Sequence, residues 1–100
     1  MARHDVFRAR SDGSYLLDCQ ADILSGLTTR FCVPLMHPDE APVAGKRLNP
    51  FFRLEDGEEV VMVTQFAAAV PVRELGSKVH SLADEHQLIS SALDMLTTGF

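Results

Sequence analysis

The residues best suited to chemistry in this 100-residue chain are four histidines, two cysteines and a few carboxylates. His80 and His86 are six residues apart, a spacing that points two helical side chains in different directions, whereas a helical metal pair needs a spacing of four. The segment His37–Glu40 gathers possible ligands in one loop, but a solvated turn explains it without an ion. We therefore predict no metal site and no other cofactor.

A catalytic constellation is not apparent either. The sequence contains no Gly-rich phosphate loop and no Gly-x-Ser-x-Gly turn. Asp18 and Asp22 are near enough in sequence to form a carboxylate pair, but no acid, base or nucleophile can be tied to them. We expect Asp18 to face solvent and Asp22 to shape a turn, so the residues favour a binding protein over an enzyme.

The two cysteines, Cys19 and Cys32, lie in apolar segments on either side of the turn-like Ser25-Gly26. An antiparallel hairpin would allow them to face one another. Because no second cluster of ligands accompanies them, we predict two buried thiols in a reducing compartment, in preference to a disulfide or a metal pair.

Composition and charge narrow the class of protein. With 46% apolar and 23% charged residues, the sequence predicts one folded domain over residues 1–100. A net charge of −5 without a basic run argues against binding nucleic acid through its phosphates. The longest nearly apolar stretch, Phe66–Val72, is too short to span a membrane, and the N-terminus does not resemble a signal peptide. We predict a cytoplasmic protein without membrane contact.

The local pattern before residue 76 is typical of β-strands. Asp56-Gly57 between two β-rich runs predicts a tight hairpin. The long segment His37–Lys46, with two prolines and a glycine, predicts an exposed loop. The predicted strands are Val6–Arg8, Tyr15–Cys19, Phe31–Val33 ended by Pro34, Phe51–Leu54, Val60–Thr64 and a short edge strand Val70–Val72.

After Gly76 the apolar residues recur at helical spacing. Leu82, Leu88-Ile89, Ala92-Leu93 and Leu96 form one stripe. Ser81 followed three residues later by an acid predicts the helix start, and Gly99 predicts its end. We therefore expect one antiparallel sheet with a C-terminal helix.

These segments, in this order, resemble the CcdB family of bacterial toxins over nearly the whole chain. The resemblance rests on "YLLDCQADILSGLTTRFCVPL", "LNPFF", "FAAAVPVRELG" and "SLADEHQLISSALDML", and most of all on Asp18-x-Gln20-x-Asp22-Ile23, Val33-Pro34-Leu35 and Val70-Pro71-Val72. It implies an antiparallel SH3-like barrel of the CcdB, Kid and MazF type with a C-terminal α-helix. It also implies a homodimer that poisons DNA gyrase by docking onto the dimerisation region of gyrase A, and a CcdA-like antitoxin whose disordered tail neutralises it.

The resemblance also implies two sets of binding residues. Two copies of a short tip beside a dimer axis would suit a symmetric partner. The gyrase-binding set is Ile23, Leu24, Asp94, Thr97, Thr98, Gly99 and Phe100. The antitoxin-binding set is Arg8, Arg10, Asp12, Asp39, Glu40 and Lys46.

Simpler structural alternatives stand beside both sets. Ile23 and Leu24 would be partly buried in the core, Phe100 would fold back onto its own helix, and the antitoxin residues would belong to solvated loops.

The sequence departs from the family at its C-terminal tip. The family toxin closes with Phe-Trp-Gly-Ile, whereas this chain has Thr97-Thr98-Gly99-Phe100. Loss of a tryptophan at a hot spot costs about 2 kcal/mol or more of binding free energy. Two alternatives therefore stay open: an inactive relative that keeps dimerisation and antitoxin binding, and a MazF- or Kid-like endoribonuclease, although the acidic composition disfavours the latter.

Overall fold

A computed structural model describes residues 1–99 as seven short strands followed by one C-terminal α-helix. Four single turns of 3-10 helix, at Asp22–Leu24, Thr64–Phe66, Val72–Glu74 and Ala83–Glu85, connect them. The elements are β1 Asp5–Ala9, β2 Tyr15–Asp18, β3 Thr29–Met36, β4 Phe51–Arg53, β5 Glu59–Met62, β6 Ala68–Pro71, β7 Leu75–Ser81 and α1 His86–Thr98.

All strand pairings are antiparallel, and the sheet curls into a half-barrel. The strand order is β4-β5-β3-β2-β1-β7, while β6 pairs with β3 alone. The long strand β3 changes partner along its length, because Thr29–Cys32 pair with β6 and Leu35-Met36 pair with β5. The predicted fold class, mainly β with an antiparallel barrel-type sheet and a C-terminal helix, is confirmed.

Pro34 does not end the third strand, and that prediction is wrong. Pro34 lies inside β3 opposite Leu16, in a non-hydrogen-bonded pair, so its nitrogen points away from β2. On the other side it falls in the gap between the residues paired with β6 and those paired with β5. Its carbonyl still accepts from the Val63 N–H at 3.0 Å. A proline fits a central strand here because no ladder hydrogen bond needs its missing N–H.

The region after Gly76 differs most from the prediction. Residues Leu75–Ser81 form β7, which pairs with β1, and the α-helix begins only at His86. The predicted cap, Ser81, is the last residue of this strand, and its hydroxyl accepts from the Ala83 N–H at 3.3 Å. The strand was missed because its residues are mostly polar and partly exposed. The end of the helix is as predicted, since Gly99 has a φ of +79° and donates its N–H to the Met95 carbonyl.

The two predicted hairpins are present. β1 pairs with β2, and β4 pairs with β5 across a turn in which Gly57 has a φ of +85°. The edge strand runs over Ala68–Pro71, and Val72 already belongs to a 3-10 turn. The segment between Met36 and Phe51 contains no strand or helix, as expected.

The sheet buries side chains on both faces. The main core lies under α1, where Ile89 and Ala92 are fully buried, and a smaller cluster is centred on Phe7. Cys19 belongs to the first cluster and Cys32 to the second. The two thiols are buried and free, as predicted, but they lie on opposite faces of the sheet and do not face one another.

The helix α1 has 13 residues, and within residues 1–99 no helix is long and apolar enough to cross a membrane.

Candidate functional site

The first part of the candidate site is the turn between β2 and β3. Ile23 is 91% exposed and Leu24 is 48% exposed, both within the 3-10 turn Asp22–Leu24. Leu27, three residues further on, is 51% exposed. The partial core burial considered for Ile23 and Leu24 therefore does not occur. One short segment therefore exposes three apolar side chains to solvent.

A buried ion pair supports the base of this turn. Asp18 and Arg30 have no exposed side-chain surface, and the Arg30 guanidinium donates to Asp18 Oδ2 from Nε at 2.9 Å and from Nη2 at 2.5 Å. The expectation that Asp18 faces solvent is wrong. Asp22 does shape the turn, because it opens the 3-10 segment and its Oδ1 accepts from the Arg3 N–H at 2.8 Å.

The second part is the last turn of α1. Asp94, Thr97, Thr98 and Gly99 are all exposed. At 100° per residue, Asp94, Thr97 and Thr98 share one face of the helix. The hydroxyl of Thr97 donates to the Leu93 carbonyl at 3.0 Å, and that of Thr98 donates to the Asp94 carbonyl at 2.7 Å. This face therefore turns threonine methyl groups and one carboxylate toward solvent. Phe100 lies outside the described residues.

A series of contacts runs from Asp22 in the first part of the site to the start of α1, whereas the second part lies at the end of that helix. Asp22 is bound to Arg3, and the ring of the next residue, His4, has its centroid 5.2 Å from that of His86, the first residue of the helix. Thr97–Gly99 lie at the other end, about 18 Å along an axis that rises 1.5 Å per residue.

The core-facing stripe of α1 continues beyond the core. Leu96 follows Ile89 by seven residues and Ala92 by four, so all three lie on one side of the helix. Ile89 and Ala92 are fully buried, but Leu96 is 42% exposed. The turn containing Phe66, which packs against α1, leaves that phenylalanine 53% exposed. Exposed apolar surface therefore continues along the last turns of the helix, beyond the part that the core covers.

The resemblance placed six residues in an antitoxin-binding set, and three of them lie on the β1–β2 hairpin. The Arg8 guanidinium sits 4.3 Å from the centroid of the Tyr15 ring and donates to the Tyr15 hydroxyl and the Gly13 carbonyl, each at 2.9 Å. Asp12 accepts from the Ser14 N–H and hydroxyl, and these bonds hold the pKa of Asp12 below its usual range. Arg10 is exposed at the end of β1.

The other three lie in the segment between β3 and β4. Asp39, Glu40 and Lys46 are exposed, and Asp39 Oδ2 is 3.6 Å from Nδ1 of the exposed His37. The set is therefore divided between a hairpin and a separate loop.

The sequence reasoning did not assign a role to Gln20 or Arg30. The available signal was a polar residue beside the apolar residues of each predicted strand, Gln20 after Cys19 and Arg30 before Phe31. Gln20 reaches Thr29 at a separation of nine positions, and Arg30 reaches Asp18 at a separation of twelve. Only the pairing of β2 with β3 identifies these partners.

Within residues 1–99 the structure brings together no group of three or more His, Cys, Asp or Glu side chains that could hold a metal ion.

Comparison with known proteins finds a matching family model and solved structures with a similar fold. The family model of the CcdB protein matches residues 3–99. The solved structure of the Mycobacterium tuberculosis toxin MazF-mt6 has a TM-score of 0.74 with 17% identity, over 90% of this chain and 92% of that chain. At that identity the likeness concerns the fold alone. A search among curated proteins found no match.

Proposed function

This chain belongs to the CcdB family, and on that premise we propose that it is the toxin of a type II toxin–antitoxin module, binding and poisoning DNA gyrase at the dimerisation region of gyrase A. Its proposed contacts are Ile23, Leu24, Asp94, Thr97, Thr98, Gly99 and Phe100. The observation that carries the proposal is the 91% exposure of Ile23 on a turn that serves no core. Exposed apolar side chains at the positions matching the family's gyrase contacts are typical of a protein-binding surface.

We propose that the active form is a homodimer. Support comes from the helical stripe, whose last member, Leu96, is 42% exposed, and from Phe66, which is 53% exposed in a turn that packs against α1. A second copy would cover this apolar surface. It would also present two equivalent copies of both binding elements to a two-fold symmetric gyrase A dimer.

Action by binding fits the chemistry of the proposed surface. Ile23, Leu24 and the threonine methyl groups cannot transfer protons, and Asp94 is a lone carboxylate. General acid–base cleavage of RNA needs two positioned groups with suitable pKa values.

The proposed antitoxin is a CcdA-like protein that contacts the two groups of charged residues on the β1–β2 hairpin and the loop after β3. Arg8 offers a guanidinium held in place by Tyr15. Asp39 and Glu40 offer exposed carboxylates. A disordered segment bridging both groups would have to lie across the surface, as a wrapping tail does.

Gyrase poisoning is tested with purified protein, gyrase and plasmid DNA. We expect inhibited supercoiling and accumulation of cleaved DNA with the natural chain. Ile23→Asp and deletion of Gly99-Phe100 should each abolish both effects. The matched control is Val43→Asp, which also replaces an exposed aliphatic residue, 48% accessible, in a loop outside the proposed surface.

Three outcomes separate the hypotheses. Cleavage of bulk RNA that survives the deletion of Gly99-Phe100 would favour an endoribonuclease. A dimer that binds antitoxin but leaves gyrase unaffected would identify an inactive relative. Growth arrest that persists after the deletion would show that the end of α1 is not the gyrase contact.

A further inference from the structure

We propose that Gln20 is a positioning residue whose side-chain amide fixes the shape of segment 21–28, so that Ile23 and Leu24 are presented in one arrangement to the partner. The identity of that partner rests on the function proposed above. The ordering of the segment is a property of the free protein and can be measured without it.

The Gln20 amide joins the turn to β3 through three hydrogen bonds. Its Nε2 donates to the Leu24 carbonyl at 3.0 Å and to the Thr29 carbonyl at 3.1 Å. Its Oε1 accepts from the Phe31 N–H at 2.9 Å. One planar group therefore holds the middle of the turn, its end and the strand that follows.

This amide takes the place of strand pairing where β2 stops. The last ladder bond on that side is from the Cys19 N–H to the Phe31 carbonyl at 2.8 Å. At the next step the chain leaves the sheet, and the Phe31 N–H binds the Gln20 side chain in place of a backbone carbonyl. The side chain thus continues the backbone pattern while freeing the main chain to turn outward.

Burial does not hold the segment in place. Every residue from 21 to 29 is exposed, including three aliphatic side chains. Besides the Gln20 amide, two bonds tie it to the rest of the chain: the Arg3 N–H donates to Asp22 Oδ1 at 2.8 Å, and the Val72 N–H donates to the Thr28 carbonyl at 3.0 Å. Its other backbone bonds are short-range, such as those from Leu24 to Ala21 and from Leu27 to Leu24. A segment without core contacts depends on hydrogen bonds to the rigid body for its order.

The base of Gln20 is itself fixed. Its backbone N–H donates to Asp18 Oδ1 at 3.0 Å, while Asp18 Oδ2 binds the buried Arg30. The position of the amide is therefore set by the core. A surface ordered before binding loses less conformational freedom in the complex.

The experiment compares three variants. Gln20→Leu removes all three bonds, whereas Gln20→Glu keeps an acceptor for the Phe31 N–H and loses the two donors. The matched control is Gln65→Leu, because the Gln65 side-chain amide also holds a loop, here the one between β3 and β4. It donates to the Pro42 carbonyl and accepts from Asn49, each at 2.7 Å. Amide hydrogen exchange of residues 21–28, urea unfolding and affinity for the gyrase A dimerisation region are measured for each.

We expect Gln20→Leu to accelerate exchange in 21–28 and weaken gyrase binding about tenfold, with Gln20→Glu intermediate and Gln65→Leu without effect on either. Unchanged exchange in Gln20→Leu would overturn the proposal, even if affinity fell, because Gln20 would then be a direct contact. Faster exchange with unchanged affinity would overturn it too. If the natural chain does not bind gyrase while exchange still rises, the ordering role stands and the proposed partner is wrong.

Discussion

The buried pair Asp18–Arg30 makes a sharp prediction about stability. In Arg30→Met the carboxylate of Asp18 stays fully buried and loses the donors that reach Oδ2 at 2.9 and 2.5 Å, keeping only the Gln20 N–H on Oδ1. An uncompensated buried charge of this kind costs about 3–5 kcal/mol of unfolding free energy. That is a large part of the roughly 5–15 kcal/mol available to a small domain.

Urea unfolding followed by circular dichroism measures this cost. With a slope of about 1–3 kcal/mol per molar, the midpoint should fall by about 1 M or more. The double variant Asp18→Leu/Arg30→Met should recover most of the loss, because it removes both charges and fills the space with apolar groups. The matched control, Arg53→Met, breaks an exposed pair at 3.9 Å and should cost less than about 1 kcal/mol.

Two results would refute the reasoning. In the first, Arg30→Met is no more destabilising than Arg53→Met, which would mean that water reaches the Asp18 carboxylate. In the second, the double variant is as unstable as the single one, so that shape and not charge would be the cause.

Three further predictions concern titration, thiol reactivity and packing. Burial, together with the charge of the neighbouring Arg3, lowers the pKa of His4 below its ordinary value of 6.5. The contribution of the neutral ring to stability is therefore present above pH 6.5 and is lost as the pH falls through the lowered pKa of the folded state. The urea midpoints at about pH 7.5 and about pH 5.5 should differ less in His4→Asn than in the natural chain; asparagine tolerates the φ of +73° at this position. An equal difference in both proteins would contradict this prediction. Burial raises the pKa of Cys19 and of Cys32 to about 12, so both thiols should resist a thiol reagent at about pH 8 until urea is added, and rapid native labelling would contradict it. A Cβ at Gly76 would lie 2.7 Å from a β1 carbonyl oxygen, so Gly76→Ala should cost about 1–3 kcal/mol, whereas Gly26→Ala, in open space, should be nearly neutral by the same unfolding measurement.

Local chemistry made part of the fold predictable. Asp56-Gly57 specifies its turn within four residues, and Gly99 ends the helix by adopting a left-handed conformation that other residues avoid. β7 was missed because its place depends on pairing with β1, about 70 positions earlier, and not on its own polar sequence. The prediction that Pro34 ends its strand was wrong because a proline interrupts a sheet only where its nitrogen would have to donate to a neighbouring strand, and the neighbouring strands cannot be identified from the local sequence.

The candidate site was predictable to a similar extent. The resemblance to a family supplied residue positions, and helical spacing alone places Asp94, Thr97 and Thr98 on one face. The burial of Asp18 could not be inferred, because Arg30 reaches it across two paired strands. The position of Ile23 relative to the end of α1 likewise depends on contacts between segments that are far apart in sequence.

Sedimentation of the purified chain, alone and with the gyrase A dimerisation region, tests the proposed mode of action most directly. We predict a homodimer in isolation and a complex of two chains with one gyrase A dimer, lost in Ile23→Asp and retained in Val43→Asp. A monomer at working concentrations, or a natural chain that forms no complex with gyrase A, would contradict it.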